Sequence, residues 1–215
     1  PAPDGHRKVV LSSAIAETSL TIEGVRVVVD AGLMRVPRFD PATGMTRLET
    51  VRVTRDSADQ RRGRAGRVAP GVCLRMWTEG EDRGLVPARV PEIRDADLAP
   101  VALDLAAYGA RPDELRWLDA PPEGAWNQAG ELLAELEIVD GEGALTAHGR
   151  QVAELGVHPR LGHLLIRGRE MGVGPLAARV AALLQDRDVL QGQGGPPPSD
   201  LRLRVEALLA LETGR

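Results

Sequence analysis

Gln60-Arg61-Arg62-Gly63-Arg64-Ala65-Gly66-Arg67 is the stretch on which the reading of this chain turns. Placed at the opening of a helix, Gln60, Arg64 and Arg67 fall at i, i+4 and i+7, so one amide and two guanidinium groups share a face. Such a face suits a polyphosphate. Arginine offers planar donors to phosphate oxygens and stays charged at any ordinary pH, while Gly63 and Gly66 remove bulk where a ligand could approach the backbone. A run of like charge usually faces water, so the flanking sequence has to decide.

Upstream, Arg7 to Ser12 (RKVVLS) and Val25 to Asp30 (VRVVVD) are apolar runs of strand length and read as buried strands of a parallel sheet. The connection between them groups small and hydroxyl residues just after the first run. Ligands of open α/β sheets bind beyond the carboxyl ends of the strands, so Ser13, Glu17, Thr18 and Ser19 stand where a phosphate or sugar could be met. Hydroxyls in such places also form turns and helix caps. Leu33 to Val53 reads as a β-hairpin turning at Pro41 and Gly44, with Arg35, Arg38, Arg47 and Arg52 making a positive arm. Ser57 is expected to cap the helix that leads into Gln60, and Gly71 to Thr78 (GVCLRMWT) to form another strand.

A chain of 215 residues, 43% hydrophobic, can bury one large core or two to three small ones. No apolar run approaches the roughly 20 residues a membrane helix needs, and Pro1 to Arg7 lacks a signal-peptide pattern, so a cytoplasmic location is expected. Cys73 is the single cysteine; within Val72-Cys73-Leu74 it is expected in the core. With His6, His148, His158 and His163 it shows no metal-ligand spacing. The net charge is −4, yet Arg26 to Arg75 holds eleven arginines against five acids, a local excess compatible with a phosphate-bearing partner. Lys8, the only lysine, follows Arg7, and the G-x-x-x-x-G-K-[ST] phosphate loop is absent.

Ser12 to Gly24 (SSAIAETSLTIEG), the hairpin after it and Gln60 to Arg67 resemble, in order and spacing, motifs V and VI of the DEAH-box ATP-dependent RNA helicases, most closely the bacterial HrpB type. Pro91-Glu92-Ile93 continues the likeness, which covers essentially the whole chain. The resemblance implies an α/β fold: the C-terminal part of a RecA-like helicase lobe with a β-hairpin over residues 1–90, a winged-helix domain over 91–147 and a ratchet-like helical bundle over 148–215. It implies that Arg64 and Arg67 act as arginine fingers on ATP and that Gln60 positions the γ-phosphate and the attacking water. Ser19 would sense the γ-phosphate, Glu23 would lie near the nucleotide sugar, and Ser13 and Thr18 would meet the RNA backbone. Where the family usually has Thr-Asn this chain has Ser13-Ala14, and Ala14 cannot make an amide's hydrogen bonds. The implied partners are RNA and a first RecA-like lobe of the same protein; the implied cofactors are ATP and Mg2+, the metal held by that first lobe.

Neither the phosphate loop nor a D-E-x-H sequence occurs here, since Asp113-Glu114 is followed by Leu115-Arg116. The chain is therefore expected to enter partway through the second lobe and to be inactive alone. The alternative is a non-catalytic adaptor that binds RNA or protein, distinguished by whether the gene continues upstream into a phosphate-loop lobe. Downstream, helices are expected over Asp97 to Leu105, ending near Gly109, and over Glu123 to Leu136, followed by a two-stranded wing at 138–139 and 144–146. The acidic character of those helices favours a structural brace over RNA binding, and Trp117 and Trp126 read as core anchors. Four more helices are expected over 147–155, 161–171, 175–184 and 201–211. His158 caps the second of them, and Gly192 to Pro198 connects the last two.

Overall fold

Three consecutive valines, Val27 to Val29, open the first strand, because β-branched side chains suit the pleated backbone. Val27–Asp30 (β1), Leu33–Asp40 (β2) and Met45–Arg52 (β3) lead into helix α1 (Arg55–Ala65), strand β4 (Val72–Arg75) and a short helix α2 (Glu79–Arg83). The computed structural model describes residues 6–17, 22–41, 43–185, 188–190 and 198–212. They belong to two units, Pro1–Asp97 and Leu98–Arg215.

In the first unit β1 and β4 pair in parallel, with Val28 opposite Cys73 and Asp30 opposite Arg75. The expected hairpin is present: β2 and β3 pair antiparallel from Leu33–Arg52 to Asp40–Met45, and Gly44 takes a φ of 64° in the turn. Its four arginines are exposed. Val53, Ala58 and Leu85 form a small core against which Trp77 packs.

Three expectations fail here. Residues 7–12 carry no strand, and Val9 and Leu11 are 84% and 95% exposed. Valine supplies strand propensity, but a parallel strand also needs a hydrogen-bonded neighbour and a covered face, and residues 7–12 have neither among the described residues. The strand at β1 is likewise open on one side, with Val27 and Val29 58% and 64% exposed. Cys73 is half-buried rather than a core residue, for the same reason.

In the second unit, α3 (Ala99–Tyr108) stops at Gly109, whose φ of 75° is a left-handed cap that a β-carbon would strain. It packs on α4 (Glu123–Glu135), on α5 (Ala147–Glu154) and on α6 (Pro159–Glu170). The expected wing is a tight turn with a single antiparallel bridge, Val139 to Leu145, held by Asp140 accepting from the Glu142 and Ala144 backbones at 2.9 Å. Helices α7 (Gly174–Gln185) and α8 (Leu201–Glu212) complete the order, α6 packing on α7 and α7 on α8. Leu98, Leu103, Leu133, Ile138, Val152 and Ile166 are buried in this unit. His158 caps α6 as expected, its Nδ1 accepting from Arg160 at 3.2 Å. Trp117 and Trp126 are half-buried. Most of the connector at 192–198 lies outside the described residues. None of the described helices is long and apolar enough to cross a membrane.

Candidate functional site

Helix α1 is the scaffold of the site, and its inner face is marked by small residues. Ser57, Ala58 and Ala65 are buried, so the turns between them come close to the chain opposite. The helix begins after Thr54, not at Ser57. Ser57 misses the expected capping role because it lies inside the first turn, where its hydroxyl donates to Glu17 Oε2 at 3.2 Å. Ser57, Arg61 and Arg64 thus fall at i, i+4 and i+7 and all reach toward Glu17.

Glu17 ends a 3-10 turn, Ala14–Glu17, and is 2% exposed. A buried carboxylate must be paired, and this one is. Arg61 donates from Nε to Oε1 at 2.8 Å, with Nη2 also 2.8 Å from that oxygen, and Arg89 donates to Oε2 at 2.5 Å. Arg61 reaches on to Asp30 Oδ1 at 2.8 Å and to the Leu33 carbonyl at 3.1 Å. Burial alone would lower the Arg61 guanidinium, and the hydrogen bonds to Glu17 and Asp30 outweigh it, holding it above its ordinary value. Asp30 Oδ1 also accepts from the Gly32 backbone at 3.0 Å, while its Oδ2 is buried without a hydrogen-bond partner. Glu17 was expected among the residues facing a ligand; its side chain is instead turned inward and fully engaged.

The residues carried over from the family motifs divide as follows. Arg64 is half-buried and donates from Nε to the Glu17 main-chain carbonyl at 3.0 Å and from Nη2 to the same oxygen. This brings Arg64 of the Gln60–Arg67 stretch against the Ala14–Glu17 turn. Gln60 is exposed on α1, one turn before Arg64. Arg67 is exposed beyond the helix end: α1 stops at Ala65 with Gly66 as its cap, so the stretch closes a helix and does not open one. The expected shared face of Gln60, Arg64 and Arg67 is therefore broken after Arg64, since a residue past the cap no longer follows the 3.6-residue turn. Ser13 is exposed before the 3-10 turn, and Glu23 is exposed in a turn ahead of β1. Thr18 and Ser19 lie outside the described residues.

Sequence reasoning passed over Arg89, Arg61 and Asp30. Arg61 was legible in principle, because the small residues of α1 recur on one side of it. Arg89 carried no local signal; it reaches Glu17 across 72 residues of sequence.

Comparison with known proteins bears on this arrangement. Residues 2–69 match the helicase conserved C-terminal domain. The chain is 44% identical over 187 residues to the ATP-dependent RNA helicase HrpB of Escherichia coli (strain K12), covering 86% of this chain and 23% of that protein. It is 40% identical over 187 residues to the pre-mRNA-splicing factor ATP-dependent RNA helicase prp22 of Schizosaccharomyces pombe, covering 86% of this chain and 16% of that protein. Among solved structures, the crystal structure of the Escherichia coli DEAH/RHA helicase HrpB superposes with a TM-score of 0.82 at 38% identity, over 99% of this chain and 28% of that one. The chain thus spans about a quarter or less of the length of these relatives.

Proposed function

From a chain that belongs with the DEAH-box RNA helicases of the bacterial HrpB type, as one segment of such a protein, we infer that it supplies half of an ATP site and part of an RNA track. The whole protein would couple ATP hydrolysis to unwinding or remodelling of RNA, with a first RecA-like lobe completing the site. Within this chain, residues 1–90 belong to the second RecA-like lobe, 91–147 to a winged-helix domain and 148–215 to a ratchet-like helical bundle. Arg64 and Arg67 neutralise charge on the transferring phosphoryl group, and Gln60 orients the attacking water. Ser19 and Glu23 face the nucleotide, and Ser13 and Thr18 meet the RNA backbone. ATP is taken with Mg2+, whose ligands are expected in the first lobe. The location proposed is the cytoplasm.

One observation carries the reading. The guanidinium of Arg64 is fastened to the main-chain carbonyl of Glu17, so the arginine-rich helix is joined to the Ala14–Glu17 turn, which belongs to the first of the two helicase-like sequence stretches. Phosphoryl transfer to water asks for little beyond in-line positioning and charge neutralisation, and an arginine finger is worth about a thousandfold or more in rate. In the whole protein, Arg67→Ala is therefore expected to lower ATP hydrolysis by about three orders of magnitude while RNA binding survives. Steady-state turnover and an RNA-binding titration decide it; wild-type turnover in the variant would remove the finger assignment.

A further inference from the structure

We propose that Glu17 is a positioning residue for ATP hydrolysis, acting through Arg64, with Arg89 as its outer tether. The proposal rests on the reading of Arg64 as an arginine finger and goes beyond it by naming what aims that finger.

The geometry has two parts. The main chain of Glu17 receives Arg64: Nε and Nη2 both donate to its carbonyl, which fixes the plane of the guanidinium. The side chain of Glu17 fixes where that carbonyl stands. Oε1 is held by Arg61, and Oε2 by Ser57 and Arg89. Ser57 and Arg61 are on the same face of α1 as Arg64, so the carboxylate and the carbonyl of one residue grip three successive turns of one helix. Any shift of the 14–17 turn along α1 would strain the carboxylate's bonds together with the one to Arg64.

Charge gives the arrangement its direction. A guanidinium released from the carbonyl would lose that fixed acceptor, and a misplacement of about 1 Å in a positioning group can cost about a hundredfold in rate. Arg89 stands 47% exposed at the rim, so it can be altered without opening the core. It enters from the segment after α2, a part of the chain that no helicase motif singled out here. Through it, the conformation of residues 85–94 is tied to the same carboxylate.

The test uses the whole protein and four variants: Glu17→Gln, Arg89→Ala, Arg64→Ala and the Glu17→Gln/Arg64→Ala double. Glu17→Gln is expected to lower kcat by about tenfold to a hundredfold with the KM for ATP within about threefold of wild type, because aim is lost and ground-state binding is not. Arg89→Ala is expected to lower kcat severalfold and keeps the idea testable should the buried substitution impair folding. The double variant is expected to be no slower than Arg64→Ala alone, since a residue that acts through Arg64 has nothing left to aim. Activity is normalised to folded protein by near-UV circular dichroism.

Wild-type kcat in Glu17→Gln and Arg89→Ala, or losses that multiply in the double variant, would overturn the proposal while leaving the finger assignment standing. Wild-type turnover in Arg64→Ala would take down both.

Discussion

His163 Nδ1 lies 3.0 Å from His148 Nε2 and 3.0 Å from the Leu136 carbonyl, and a carbonyl can only accept. The hydrogen is therefore on His163 Nδ1, His148 Nε2 faces it as an acceptor, and neutral His148 carries its own hydrogen on Nδ1. That atom is buried without a partner. Burial, then His163 and Arg167, hold His148 below its ordinary value of 6.5, with Glu170 and Glu137 opposing. The unfolded chain thus binds a proton at His148 more readily than the folded one, and stability falls as pH drops below about 6.5. The thermal midpoint of the chain, followed from pH 7.5 down to pH 5.5, should decline, and His148→Gln should flatten part of that decline. An unchanged slope in the variant would place the pH dependence elsewhere. At this scale Arg64 makes the companion case: Arg64→Ala should match Arg67→Ala in lowering turnover by about a thousandfold in the whole protein. A loss confined to the KM for ATP would show Arg64 to be a binding group only.

Among the elements, glycines separate packing from function. Gly168 on α6 faces α7 so closely that a β-carbon would come within 2.3 Å of Ala177 Cβ. Ala177 has no rotamer to move, so Gly168→Ala must part the helices, at a cost of about 1 to 3 kcal/mol read from urea unfolding. A neutral outcome would mean that α6 and α7 slide freely. Gly63 on α1 is the opposite case: a β-carbon there meets nothing within 4 Å. Gly63→Ala should stabilise the chain by about 0.5 to 1 kcal/mol, because glycine lowers helix propensity. If the same substitution slows ATP turnover in the whole protein, the missing side chain serves the approach of a ligand; if turnover is untouched, it does not. Helix α1 itself shows how a spacing argument depends on where the helix ends, since Arg67 lies past Ala65. Counting from Gln60 put Arg64 and Arg67 together, whereas counting from Ser57 puts Arg61 and Arg64 together over Glu17.

Taken whole, the chain is a pair of units whose surfaces differ in completeness. The second unit buries a line of leucine, isoleucine and valine from Leu98 to Ile166. The first exposes Val27, Val29, Val72 and Leu74 on the strands β1 and β4. In hydrogen exchange the amides of β1 and β4 should accordingly open sooner than those of α4 and α6, and the reverse order would contradict the burial pattern. The chain alone should hydrolyse no ATP, because its sequence contains neither the phosphate loop nor the D-E-x-H sequence with which such phosphoryl transfer is carried out. Turnover in the purified chain, surviving Arg67→Ala and so due to a contaminant, would leave this standing; turnover abolished by that substitution would not. The sequence by itself determined the hairpin with its arginines, the helices after Asp97 and the family, because periodicity, turn residues and contiguous motifs are local properties. Only the tertiary structure decided that residues 7–12 carry no strand, that Ser57 points inward, that Arg67 lies past the helix end and that Glu17 gathers Arg61, Arg64 and Arg89. Pairing, burial and ion-pair geometry depend on residues as much as 72 positions apart meeting in space, and no local pattern encodes which of several charged side chains will turn toward the buried carboxylate of Glu17.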